Sequence, residues 1–372
     1  MAKHKIGWLP GDGVGRDVME AARLVLDKLR LDAEYLHGEI GWHYWCTEGN
    51  ALPERTYEML KSTDACLLGA ITSKPREEAE RELLPELRKR GLAYHSAILQ
   101  LRQKFHLHSN IRPCKAYPGN PLNFRHDVNI VVFRENSECL YTGLEFHPLP
   151  PEVIEAMAKH HPAARRYADM NPEDVAISVR VMTRPRCNHI AQQAFEYARQ
   201  HGFRSVTVVE KPNVTRETSG MLIREARKIA KRYAEIDFHE ANIDHLCMWL
   251  LKNPQTFAVL LSSNLFGDIL SKLCAQLVGG LGFGASANLG EKYALFEPIH
   301  GSAPRLAGQY RVNPIGLLRA VVMMLEYLQE IEMARVLENA IATVVLEGKV
   351  RTQDMGGEAS TMAMAQAIAE RI

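Results

Sequence analysis

Short apolar runs alternate along the chain with longer stretches in which apolar residues recur at three- and four-residue spacing, the pattern of a mainly parallel sheet covered by helices. The runs at residues 5–9, 65–70, 128–133, 175–182, 205–210 and 257–262 predict strands. Helical spacing over residues 16–29, 188–200, 217–233, 265–277 and 314–329 predicts helices. Prolines at 113, 118 and 121 make residues 114–125 an extended or looped connection. A second irregular stretch, 147–172, is rich in proline, histidine and alanine and predicts an insertion or arm between strands. After Ile331 the chain returns to helix and closes on Gly356-Gly357.

Composition narrows the class. The 372 residues carry 45 Lys plus Arg against 44 Asp plus Glu, so no global basic field exists for gripping nucleic acid, and any anion must be caught locally. With 46% hydrophobic residues the chain can bury a core, and its length fits one large α/β unit or two lobes. The longest aliphatic stretch, residues 320–325, is far short of the ~18 residues of a membrane span, so no membrane partner is expected. Two lysines lead directly into the first predicted strand without an apolar leader, and seven cysteines show no Cys-x-x-Cys pair. Neither a disulfide set nor a zinc site is expected, and the expected compartment is the cytoplasm.

Several residues suggest chemistry. Gly11-Asp12-Gly13-Val14-Gly15 lies between a strand and a helix but lacks the Gly-x-Gly-x-x-Gly spacing, which favours a tight turn over a dinucleotide fingerprint. Arg102, Arg112 and Arg134 each lie near an element end. Guanidinium forks there suit a polycarboxylate, and pairing with Glu135 and Glu138 accounts for them equally well. Asp244 and Asp268 come from separate elements and as oxygen donors suit magnesium or manganese, although Asp268 at the mouth of a helix also fits a capping role. Lys211 follows a parallel strand, where a proton carrier or a plain surface lysine would both sit, and Tyr141 fits a phenol acid or core packing. Residues 296–304 form a dense turn sequence after a glycine-rich stretch, which could offer backbone amides to a phosphate.

In order, the chain contains Gly11-Asp-Gly-Val-Gly15, Leu101-Arg102, Asn110-x-Arg112-Pro113, Arg134-Glu-Asn-Ser-Glu138, Tyr141-x-Gly143 and Glu210-Lys-Pro-Asn213. It continues with Ile243-Asp244, Asn264-Leu-Phe-Gly-Asp268, Gly279-Gly-Leu-Gly282, Ser286-Ala-Asn288, Glu297-Pro-Ile-His300-Gly-Ser-Ala-Pro304, Asn313-Pro314 and Thr352-x-Asp354-Met-Gly-Gly357. This series resembles the β-decarboxylating dehydrogenases, the isocitrate/isopropylmalate dehydrogenase family, across nearly the whole chain. The resemblance implies a two-domain α/β fold, with residues 1–107 and 280–372 as a large cofactor-binding domain and 108–279 as a small dimerising domain. It implies a homodimer that shares its active sites. Arg102, Arg112 and Arg134 would hold the malate-like part of a di- or tricarboxylate, and Tyr141 would return a proton to carbon. Lys211 would relay the hydroxyl proton, with Lys211 and Asp244 reaching the site from the partner subunit. Asp244 and Asp268 would be metal ligands for Mg2+ or Mn2+. Adenosine of NADP or NAD would lie against His300, Gly301, Ser302, Ala303, Pro304, Arg305, Asn313 and Asp354.

The chain also departs from the family pattern. Lys272 stands where Asp-Ile-Leu-Ser-Asp would place a second aspartate of the metal site, and His245 replaces the usual asparagine after Asp244. Metal binding is therefore expected to be weakened or dispensable: either Asp244, Asp268 and substrate oxygens suffice for magnesium, or Lys272 takes over part of the ion's role as a fixed positive charge, or the chain is a catalytically weakened relative. Arg305 stands where NAD-preferring members usually carry aspartate, which leans the expectation to NADP. Ser96 matches a serine that contacts the distal carboxylate in isocitrate enzymes, while Ile98 and Leu99 would suit an isopropyl group. The stretches 210–220 and 248–250 favour isocitrate, with isopropylmalate second and homoisocitrate third. A non-catalytic regulatory subunit of the same fold is the rival class.

Overall fold

The first apolar run becomes a strand buried along most of its length because parallel neighbours and helices cover it. In the computed structural model, which describes residues 2–372, β1 (His4–Gly11) lies between β2 (Ala33–His37) and β3 (Ala65–Ala70). Every residue of β3 is buried, as expected of a strand covered on both faces. The chain then forms β4 (Ser109–Lys115), β5 (Asn129–Glu135), the short β6 (Glu145–Phe146) and β7 (Ile177–Ser178), β8 (Ser205–Glu210), β9 (Asp237–Asn242), β10 (Val259–Ser262), β11 (Ala285–Leu289) and β12 (Ala294–Pro298).

All but β6 and β7 join one ten-stranded sheet in the order β2-β1-β3-β12-β11-β4-β5-β10-β8-β9. Two parallel wings meet through an antiparallel middle, where β12 pairs β11, β11 pairs β4 and β4 pairs β5. Helices cover the faces. The helix Val14–Leu29 turns Val18, Ala22, Val25 and Leu26 inward. The helix Ile315–Tyr327 is buried on nearly all sides among the sheet and the helix Ile331–Glu347, which is why its sequence is apolar almost throughout. Among the described residues no helix is long and apolar enough to cross a membrane, and all seven cysteines are free.

The sequence reading needs correction at four places. Residues 175–182 do not form a core strand; Ile177–Ser178 pairs with Glu145–Phe146 in a separate ladder, and Val181 makes an isolated bridge to Cys139. The chain leaves that ladder because the Arg180 guanidinium turns to the buried Glu210 carboxylate at 2.9 Å. Residue 114 is not yet loop, since β4 runs through Pro113 to Lys115; β11 pairs β4 only as far as Ile111, so the proline lies where one neighbour is absent. The stretch 147–172 is not irregular throughout, because Pro151 opens the helix Pro151–His160 at a position where its missing N–H costs nothing. That helix packs Ile154 on Leu149, Ala164 and Val175 as a small separate core. Strands β2, β4, β6, β9, β11 and β12 went unpredicted; β2 and β9 are the sheet's edges and carry polar, partly exposed sequences.

Glu210, at the end of β8, accepts hydrogen bonds from Arg180, from the Ser219 hydroxyl at 2.5 Å and from the Ser263 amide at 2.9 Å, with its side chain 0% exposed. Removing the cation would strand a buried charge. Arg180→Ala is expected to cost about 3–5 kcal/mol in chemical denaturation. A loss below about 0.5 kcal/mol would show that the pair is not holding this end of the sheet.

Candidate functional site

The cleft is built where β4, β5 and β10 meet the helix Asn264–Leu277. Arg134 is the penultimate residue of β5 and pairs with Asn110 of β4 and Ser262 of β10, so strands flank its backbone on both sides. Ser262 hands the chain through Ser263 to the helix Asn264–Leu277. That helix lies close against β5 because residue 267 is glycine: an added Cβ would fall 2.8 Å from the Arg134 Cβ. The next residue, Asp268, is thereby set over the guanidinium.

Asp268 organises the site. Its Oδ1 accepts from Arg112 Nη1 at 3.0 Å and from Arg134 Nη1, and its Oδ2 accepts from the Tyr141 hydroxyl at 2.9 Å. Arg134, 2% exposed, also donates Nε and Nη2 to Asn264 Oδ1 at 2.9 and 2.7 Å, and its guanidinium lies 4.9 Å from the Tyr141 ring centre. Arg112 Nη1 also donates to Ser271 Oγ at 2.7 Å. Arg102, from the helix Ala97–Lys104, donates Nε to Asn288 Oδ1 at 3.0 Å and Nη2 to Glu297 at 3.3 Å. None of the three arginines pairs with Glu135 or Glu138: Glu135 accepts from Ser137 and the Glu138 amide, and Glu138 accepts from Thr183.

The electrostatics follow from crowding. Burial alone would raise the Asp268 pKa, but the Arg134 and Arg112 guanidiniums outweigh it and bring it down to about 2. Burial, together with Arg112 and Arg102, pushes Arg134 below the usual arginine range. Burial and the Asp268 carboxylate raise the Tyr141 phenol, keeping it protonated at neutral pH. Among the described residues Arg102 Nη1 and Arg112 Nη2 donate to no protein acceptor, and Arg112 Nε is buried without a partner. The cluster therefore keeps guanidinium donors to spare, of the kind that can hold an anion.

Two hollows adjoin the cleft. One, of about 670 Å³, is lined by Tyr94, Ser96, Leu99, Gln100, Gln103 and Tyr141 among others. The other, of about 430 Å³, is lined by His300, Gly301, Ala303, Arg311, Asn313 and Asp354 among others. In it Asn313 Nδ2 donates to Asp354 Oδ2 at 3.1 Å. Ser302 lies behind this wall, buried, with its hydroxyl 2.6 Å from Thr72 Oγ1 and its carbonyl accepting from the Val14 amide at 2.8 Å. Gly13 makes that approach possible, since a Cβ on it would meet the Ser302 carbonyl oxygen at 2.1 Å. The N-terminal glycines thus pack a turn against the 300–304 loop. Pro304 and Arg305 sit exposed in a short 3-10 turn just beyond the hollow.

Lys272 connects the two regions. It lies one helical turn after Asp268 and donates Nζ to the Ile299 carbonyl at 2.8 Å. Partial desolvation and the Arg112 guanidinium lower its pKa.

Within one chain the structure unites Arg102, Arg112, Arg134, Tyr141, Asp268 and Lys272, with Ser96 on the adjoining hollow. Lys211 and Asp244 are paired with each other at 2.5 Å, and no hydrogen bond or ion pair joins them to the arginines. His245 lines a different hollow with Pro212 and Trp249. The capping role for Asp268 is not realised: Ser263 occupies the N-cap, and the Asp268 side chain turns to the cations. Sequence reasoning missed Asn264, Ser271, Asn288 and Glu297 as supports and Arg311 as a lining cation. Only the nearness of Arg311 to Asn313-Pro314 could have flagged it.

Because the Asp268 carboxylate titrates lower in the fold than its ordinary 3.8, the stability it contributes is present above about pH 4 and is lost as pH falls toward 2. The contribution is about 2 kcal/mol. The stability difference between the wild type and Asp268→Asn is expected to shrink by that amount between about pH 5 and pH 2.5 in denaturant titrations. A difference constant over that range would contradict the ion-pair account.

The isocitrate/isopropylmalate dehydrogenase family profile matches residues 5–372. Among relatives, protein DlpA of Legionella pneumophila is 37% identical over 98% of this chain, which spans 58% of the length of DlpA. The 3-isopropylmalate dehydrogenase of Methanothermobacter thermautotrophicus is 37% identical over 100% of this chain and 99% of its own length. Among solved structures, isocitrate dehydrogenase from Methylococcus capsulatus superposes with a TM-score of 0.85 at 34% identity, covering 99% of both chains. The cleft and the full-length matches agree: this chain belongs to the isocitrate/isopropylmalate dehydrogenase family, whose members are NAD(P)-linked β-decarboxylating oxidoreductases.

Proposed function

We propose that the protein oxidises and decarboxylates a malate-type 2-hydroxy-3-carboxy acid, with isocitrate as first substrate, isopropylmalate second and homoisocitrate third. The observation that carries this reading is the convergence of Arg112, Arg134 and Tyr141 on Asp268, with Arg102 alongside. Spare guanidinium donors grip the two carboxylates of the malate skeleton and orient its carbinol. A nicotinamide held against the 300–313 hollow would supply the hydride acceptor for that carbon. The hydroxyl proton passes to the partner subunit's Lys211. The bond to the departing carboxylate then breaks, and its electrons move to the former hydroxyl oxygen, where fixed positive charge stabilises the enolate. Tyr141 delivers a proton to carbon, for which its raised phenol pKa keeps it loaded.

Ser96 faces the hollow in which the variable substituent of the substrate would lie, and its hydroxyl favours the distal carboxylate of isocitrate. The 300–313 hollow suits the adenosine half of the cofactor. Arg311 on its wall and Arg305 in the turn just beyond it support NADP over NAD, because guanidiniums there would be available to a 2′-phosphate. A homodimer is supported by Met248 (71% exposed) and Trp249 (49%) on the helix Ile243–Lys252 and Ile269 (54%) on the helix Asn264–Leu277, an apolar surface that a second copy would cover. Seven free cysteines are consistent with a cytoplasmic, reducing setting. The rival reading as a non-catalytic subunit draws on Lys272 and His245, and turnover by the purified single chain would eliminate it.

Turnover of the three acids with each nicotinamide, followed at 340 nm, is expected to be highest for isocitrate with NADP; absence of turnover with every pair would refute the proposal. Tyr141→Phe is expected to lower kcat by roughly 10²–10⁴ with little change in KM. Arg305→Ala combined with Arg311→Ala is expected to cost about 1.5–3 kcal/mol, roughly ten- to a hundredfold, in kcat/KM for NADP while sparing NAD. Equal losses with both cofactors would remove these arginines from cofactor choice.

A further inference from the structure

The members of this family use a divalent cation, and the donor set of this chain does not fit one. A hard cation wants several oxygen ligands with room for water between them. Here both oxygens of Asp268 are already taken, by two guanidiniums on one side and a phenol on the other. Within one chain, among the described residues, no group of three or more Asp, Glu, His or Cys side chains could hold a metal ion, and Asp244 of the partner subunit would add a single carboxylate to Asp268. One turn along the same helix face, where a second carboxylate would complete a cation site, stands an ammonium.

The charge count makes the exchange specific. Around the cleft of one chain, Arg102, Arg112, Arg134 and Lys272 give four positive charges against the carboxylates of Asp268 and Glu297, a balance of +2, which the partner subunit's Lys211 and the partner subunit's Asp244 would leave unchanged because they carry one charge of each sign. With aspartate at 272 the same side chains would give three charges of each sign, and a divalent ion would be needed to reach +2. A single lysine thus supplies locally what a carboxylate and a metal would supply together. Lys272 is also held in place, because its ammonium is anchored on the carbonyl of Ile299, the neighbour in sequence of His300 on the wall of the 300–313 hollow. On the dicarboxylate reading, a hydroxyl held by the arginines and turned toward that hollow would lie near this ammonium.

We infer that the Lys272 ammonium takes the place of the divalent cation, so that this cleft binds and polarises its dicarboxylate without a metal. The inference rests on the dicarboxylate reading of the cleft. In the reaction the ammonium faces the oxygen that becomes the enolate, donating a hydrogen bond and a full charge while the electrons of the broken carbon–carbon bond arrive there; it keeps its own proton.

The test uses the purified full-length protein and Mn2+ as the probe, with bound metal measured by electron paramagnetic resonance in the absence of nicotinamide, with and without D-malate. The wild type is expected to leave Mn2+ free up to millimolar concentrations, and Lys272→Asp, shown by circular dichroism to be folded, to bind one Mn2+ per chain. Lys272→Met is expected to weaken D-malate binding at least roughly tenfold, as loss of a charge-assisted contact should. Uptake of one Mn2+ per wild-type chain in the micromolar range, a folded Lys272→Asp that binds none, or unchanged D-malate affinity in Lys272→Met would each overturn the inference. These readouts do not depend on which acid is turned over. A failed substrate panel would count against the proposed function while leaving the Mn2+ result to decide the role of Lys272.

Discussion

One carboxylate holding two guanidiniums is the constraint on which the site depends. Without Asp268, Arg112 and Arg134 would face each other with only amide and hydroxyl oxygens of the protein for company. With it, the pair is held at a fixed separation, one oxygen shared between them and the other turned to Tyr141. The arrangement is deliberately incomplete in electrostatic terms. Burial and mutual repulsion depress Arg134, and donors are left over, so the cleft carries the surplus positive charge that the proposed dicarboxylate would take up.

The fold supplies that geometry through its antiparallel middle. Because β4 runs against β5, Arg112 and Arg134 rise from neighbouring strands two positions apart in register, since Arg112 stands opposite Val132. Because β5 pairs β10 in parallel, the chain leaving β10 enters its helix directly above them. The glycine at 267 lets that helix settle onto β5, and the Arg180–Glu210–Ser263 network fixes where it starts. From β11 and β12 come Asn288 and Glu297, which aim Arg102 from the opposite side. Both parallel wings therefore contribute to one cleft through the strands between them.

Strands covered on both faces were legible in the sequence because continuous apolar runs such as 65–70 have few other uses. The edge strands β2 and β9 were not, since their polar residues face solvent and their pairing is decided by neighbours distant in sequence. The arginines illustrate the same limit at the site. Spacing alone left ligand binding and local ion pairing equally plausible, and the ordered motifs tipped the balance. Their supports were invisible, because Asn288 and Glu297 lie 186 and 195 positions from Arg102. Lys272 was noticed only as a departure; its anchorage on Ile299 required the fold.

The central claim is that Arg102, Arg112, Arg134 and Tyr141 form one receptor for a malate backbone. A crystal structure of the protein grown with D-malate tests it most directly. The account predicts the two ligand carboxylates within hydrogen-bond distance of those guanidiniums, with the carbinol carbon facing the hollow lined by His300 and Asn313. A ligand found elsewhere, or these side chains opening into separate cavities around an empty cleft, would contradict it.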